Sequence, residues 1–99
     1  MAKIVVQIDA DLEDLIPGYL ENRQNDVKAL EQALKAKDFE TISILGHTMK
    51  GTGGGYGFER ITEIGRALEE GAKSKDAAGI LKGLNQLQEY LKAVEVVYR

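Results

Sequence analysis

The sequence predicts an all-α fold, an antiparallel up-down four-helix bundle, and three observations carry that prediction. Apolar residues recur at three-and-four spacing over four separate stretches, the pattern of a helix that buries one face. The first, second and fourth stretches start at or near aspartate or serine residues suited to a helix N-cap. The connections are short, and 99 residues allow one core and so a single domain, residues 1–99.

The segment "KIVVQI" at 3–8 is rich in β-branched residues and suits an extended conformation. No second strand-like run stands out as its partner, so it is expected to pack as an extended lead-in. Asp9 or Asp11 then caps a first helix over about 11–37, with Glu13 and Asp14 placed against the positive end of its dipole. Leu12, Leu15, Ile16, Tyr19, Leu20, Val27, Leu30 and Leu34 form its buried face. Pro17 interrupts this pattern, because a proline inside a helix removes a hydrogen bond and crowds the preceding turn. A kink or break is expected at 16–18, or a short helix followed by a new one starting at Pro17.

Asp38 caps a second helix, 38–56, with Phe39, Ile42, Leu45, Met49, Thr52 and Tyr56 inward. A third, 58–73, turns Ile61, Ile64, Leu68 and Ala72 inward, and Gly65 permits close packing. Ser74 or Asp76 caps a fourth, 76–98, whose stripe is Ala77, Leu81, Leu84, Leu87, Leu91, Val94 and Tyr98.

Composition excludes several functions. With no cysteine and one histidine, the chain offers no disulfide framework, no Cys-based zinc site and no multi-His metal centre. Its net charge is −3 with acids and bases interspersed, which leaves no basic stripe for nucleic acid. No apolar run approaches the ~20 residues that span a bilayer, and "KIVVQI" is unlike a signal peptide. Membrane insertion is therefore not expected, and the protein is read as cytoplasmic.

The one histidine lies in "GHTMKGTGGGYG", residues 46–57, a run in which glycine fills half of the positions. At ~100° per residue, with Ile42 at zero, Leu45, Met49, Thr52 and Tyr56 fall between about 280° and 340°, which defines the core direction. His47 falls near ~140°, Gly54 near ~120°, Gly51 near ~180° and Lys50 near ~80°. The histidine therefore faces water, flanked on its own face by residues without side chains. Ile44, near ~200° on the same side, is an apolar residue on a solvated face and a candidate docking contact. Lys50 is three residues on, within reach of negative charge that develops on the ring. A neutral imidazole is a nucleophile that needs no triad partner to attack phosphorus through a ring nitrogen. Gly57 is expected to stop the helix, with regular helix continuing to Tyr56; Gly53 and Gly55 fall off the histidine's face and have no functional account at this level.

His47-Thr-Met-Lys50-Gly51-Thr52, followed by Gly54 and then "GYGF", resembles the His-x-x-Lys-Gly-(Ser/Thr) signature of histidine-containing phosphotransfer (HPt) domains. The stretches "LEDLIPGYLENRQNDVKALEQAL", "KDFETISILGHTMKG" and "FERITEIGRALEEGAK" resemble that family's helices in order. The resemblance implies a phosphorelay intermediate, in which His47 accepts a phosphoryl group from a receiver-domain aspartate, at Nε2, and passes it to another receiver. It further implies that Lys50 is the charge partner and that Gly51 keeps the site accessible; Gly51, Gly54 and Ile44 are the residues expected at the docking face. Partners are then the receiver domains of response regulators or hybrid kinases. No cofactor of its own is expected, since the receiver supplies Mg²⁺ and its acidic cluster, and a monomer is expected.

No Walker-type phosphate loop is present, and "GTGGGYG" follows a helix rather than a strand, so kinase activity is not expected. The alternative is a bundle that docks a signalling partner through the His47 face without being phosphorylated. The charge-rich "EEGAKSKD" is read as a solvated helix end and loop.

Overall fold

The computed structural model describes residues 3–99. Strand β1 (Ile4–Ile8) leads through a 3-10 turn at Ala10–Leu12 into helix α1 (Ile16–Lys35). Helix α2 (Phe39–Thr52) is followed by a 3-10 turn at Gly54–Tyr56. Helix α3 (Glu59–Lys73), helix α4 (Ala77–Ala93) and strand β2 (Val94–Tyr98) complete the chain. Each helix packs on its neighbours in sequence, and α1 closes on α4, so the four surround one core. Leu30, Ile42, Met49, Phe58, Ile61, Leu68, Ile80 and Leu87 are fully buried there.

Local chemistry accounts for the helix starts. The Asp38 carboxylate accepts from the Thr41 backbone N–H at 3.2 Å, and the Asp76 carboxylate accepts from that of Gly79 at 3.0 Å, so each satisfies an amide that the first turn leaves unpaired. Asp9 does the same for the 3-10 turn, through Asp11 N at 2.9 Å, rather than for α1. Helix α1 therefore starts at Ile16 and not at 11, with Pro17 in its first turn, where its missing N–H breaks no helical bond.

The ends of the expected helices need three corrections. The fourth does not run to 98: residues 94–98 are a strand, and they are the partner that β1 seemed to lack. The pairing is parallel, with Ile4 opposite Val94 and Ile8 opposite Tyr98. In "VEVVY" the valines prefer a pleated surface, and Val94, Val96 and Tyr98 point inward by twos; Val94 and Tyr98, four apart, also fit a helical stripe, so spacing alone does not distinguish the two. Second, α1 ends at Lys35. Third, α2 ends at Thr52, so regular helix does not continue to Tyr56, although the 3-10 turn keeps Tyr56 against the core. Gly57 is the stop of that turn, with φ at 93°, a value that a side chain would strain.

Three expected core residues lie outside, among them Ala77, which is exposed at the start of α4. Leu15 and Leu81 are 53% and 48% exposed. On α4 the buried line runs through Ile80, Gly83, Leu84, Leu87 and Tyr90, which turns Leu81 away from the centre.

At the end of α2, Tyr19 of α1 stacks on Tyr56 and Phe58, with ring centroids 4.5 and 5.6 Å away. The Arg23 guanidinium lies 4.6 Å over the Tyr19 ring, and its Nε is 2.8 Å from the Asp26 carboxylate. Burial raises the Asp26 carboxyl above its ordinary value, with Arg23 opposing. This layer ties α1 to the turn that follows α2.

Candidate functional site

Helices α2 and α3 meet backbone to backbone. A Cβ on Gly46 would lie 2.7 Å from both Glu69 N and Gly65 O, and one on Gly65 would lie 2.5 Å from Lys50 N and 2.6 Å from Gly46 O. Only residues without side chains allow this approach. The expectation that Gly65 permits close packing is met, and Gly46 is its counterpart across the seam.

The close approach brings Glu69 beside the residue that follows Gly46. One carboxylate oxygen, Oε2, lies 2.9 Å from His47 Nδ1, and the other, Oε1, accepts from Lys50 Nζ at 2.7 Å. Lys73 Nζ, one turn along α3, is 3.9 Å from Oε2. The Glu69 side chain is only 9% exposed, while that of His47 is 69% exposed. A buried carboxylate thus underlies a ring that projects into solvent.

The Lys50 hydrogen bond is the largest influence on Glu69 and holds its carboxyl below the ordinary value, against the effect of burial and with help from the His47 bond. An ionised carboxylate only accepts hydrogen bonds, so Nδ1 carries the proton it donates. In the neutral ring the lone pair then belongs to Nε2, the ring nitrogen that Glu69 does not hold.

The other candidate residues divide. Lys50 joins the cluster through Glu69. At Gly51 an added Cβ would meet nothing within 4 Å, so the surface there is open. Ile44 is 59% exposed on α2. Gly54 does not sit on the histidine's helical face: it lies past the end of α2, where its N–H donates to the Thr62 hydroxyl at 2.8 Å. The same hydroxyl donates to Lys50 O at 3.3 Å, so Thr62 holds the last turn of α2. Gly53 has a structural role, since a Cβ there would come within 2.6 Å of Thr62 and 2.8 Å of Phe58 O.

Glu69 is the member that sequence reasoning misses, because it stands at the head of the charge-rich "EEGAKSKD", which reads as a solvated helix end. A signal was present: Glu69 is four residues after Gly65, so it lies on the ridge of α3 that the glycine presses against α2.

Four helices around one core, with a single imidazole raised from a close helix pair, define a small helical-bundle domain with one presented nucleophile. Residues 10–96 match the family profile described as the Hpt domain, and the chain belongs to that family. Hpt domains serve phosphotransfer in two-component signalling. No curated protein and no solved structure matches the chain. Among the described residues, no helix is long and apolar enough to cross a membrane.

Proposed function

We propose that His47 is the phosphoacceptor of a phosphorelay: its Nε2 takes a phosphoryl group from a receiver-domain aspartyl phosphate and gives it to another receiver. The observation that supports this most is the hydrogen bond of Nδ1 to the Glu69 carboxylate in a side chain that is otherwise largely exposed. In the forward step the Nε2 lone pair forms an N–P bond as the acyl-phosphate P–O bond breaks, and the aspartate leaves as a carboxylate. Nδ1 keeps its proton, and the charge that the ring gains lies against Glu69.

Lys50 is held one helical turn from the ring, where its ammonium meets the incoming phosphoryl oxygens. Its bond to Glu69 stops it folding away. Open surface at Gly51 and the exposed Ile44 are the parts of α2 on which a receiver docks; Gly54, which lies past the helix end, serves the fold instead. The domain works as a monomeric carrier without a kinase site or a metal of its own. Phosphoryl transfer is mainly positioning and charge neutralisation, and the receiver brings the Mg²⁺.

Incubation with a phosphorylated receiver, or with a small phosphodonor such as acetyl phosphate, tests the reading. Label that is stable in base, labile in acid and lost in His47→Gln is the expected result. Equal labelling of His47→Gln would end the proposal, and absence of label with retained receiver binding would favour a docking module that is never phosphorylated.

A further inference from the structure

The α1–α4 seam lies across the bundle from the α2–α3 pair, and its surface differs from the rest of the molecule. Two open clefts adjoin along it and share Glu31 and Gln88. Their floor is aliphatic, made by Val27 and Leu34 of α1 with Leu84 and Leu91 of α4. Leu81 stands at one end, 48% exposed, although it follows the fully buried Ile80. The rim carries Lys28, Lys35 and Lys92 against one acid, Glu31. A chain with a net charge of −3 thus has an excess of positive charge along one apolar groove.

We propose that this groove docks an acidic amphipathic helix of a partner protein, so that the domain is anchored on one side while His47 stays free on the other. The dimensions suit such a helix. From Gln24 to Lys35 the groove follows α1 across twelve residues, a rise of about 17 Å at ~1.5 Å per step, which is about three turns. An amphipathic helix of that length places three or four aliphatic side chains on the floor at i, i+3/i+4 and i+7 spacing. Glutamates on its flanks then meet the lysines of the rim, which favours an acidic helix over a basic one.

The test uses the 99-residue chain and two synthetic 14-residue helical peptides with leucine at i, i+4, i+7 and i+11. One carries glutamate at the flanking positions, and the other carries lysine. The glutamate peptide is expected to bind, to perturb amide resonances of α1 and α4 while leaving those around His47 in place, and to weaken severalfold as salt screens the rim. The double variant Lys28→Glu/Lys92→Glu should lose affinity for it by tenfold or more and gain affinity for the lysine peptide. Leu81→Asp should also weaken binding, with helicity by circular dichroism showing that the exposed site tolerates the change.

Equal binding of both peptides by the unaltered chain, or perturbation centred on α2 and α3, would overturn the proposal. So would recruitment to phosphatidylglycerol vesicles without peptide binding, or a concentration-dependent dimer that buries the seam. The binding readout is independent of label at His47, so failure here leaves the phosphoacceptor assignment to its own experiment.

Discussion

The α2–α3 pair and the α1–α4 pair belong to the same bundle but are joined in different ways. Across α2–α3 the backbones themselves touch, through Gly46 and Gly65, and side chains from the two helices meet on the outer side of the contact. Across α1–α4 the contact is made by long aliphatic side chains, and the seam stays partly open. Close approach costs helix propensity, since each glycine is about 1 kcal/mol worse than alanine in a helix interior. In return it brings a carboxylate from one helix within hydrogen-bond distance of an imidazole on the other. A seam of leucines holds helices together but leaves their polar residues too far apart for such a cluster.

Several substitutions separate these two kinds of seam. The largest effect is expected for Gly65→Leu, which forces a side chain into Lys50 N and the Gly46 carbonyl. Overpacking against backbone should cost about 3 kcal/mol or more, seen as a lowered denaturation midpoint, and phosphotransfer should fall with it. A stable, active Gly65→Leu would show that the close contact is not what builds the site. Leu34→Ala on the open seam removes a half-buried side chain and should cost less, about 1–2 kcal/mol, with labelling at His47 unchanged.

Glu69→Gln comes next and acts on chemistry more than on folding. The ring loses the partner that fixes its tautomer, and Lys50 loses its anchor. Transfer from a phosphorylated receiver should slow on the order of tenfold, in line with the loss of a charge-assisted hydrogen bond. An unchanged rate in a folded variant would remove Glu69 from the mechanism.

The smallest expected effect is in the pH dependence of stability. The Glu69 carboxyl is held below 4.5 in the folded chain, chiefly by Lys50, so the folded state binds that proton less readily than the unfolded state. Its contribution is complete above the ordinary carboxyl value and is lost as pH falls through the lower folded value. Denaturation of the unaltered chain and of Glu69→Gln should therefore converge in acid and diverge above about pH 5. Parallel curves through the acid range would contradict this.

Local signals were sufficient for much of the molecule. The caps at Asp38 and Asp76, the apolar spacing of four helices and the outward phase of His47 all depend on residues within a few positions of one another. The nearness of Lys50 to His47 is equally local, and so is the left-handed turn at Gly57, although it closes the 3-10 turn and not α2. Short-range spacing was therefore enough to specify a helical bundle and a solvent-facing imidazole with a lysine beside it.

Tertiary structure decided the rest, because it depends on pairs far apart in the chain. Val94–Tyr98 is a strand because Ile4–Ile8 lies beside it, about ninety residues earlier in the chain; without that partner its valines fit either period. Glu69 is a buried acceptor rather than a solvated charge because Gly46 and Gly65 bring α3 onto α2, twenty-two residues from His47. Leu81 is exposed because α4 rolls Ile80 into the core. A helix face is set by its own spacing, but which side chains meet across a seam depends on how closely two backbones approach, and that distance is a property of the packed pair.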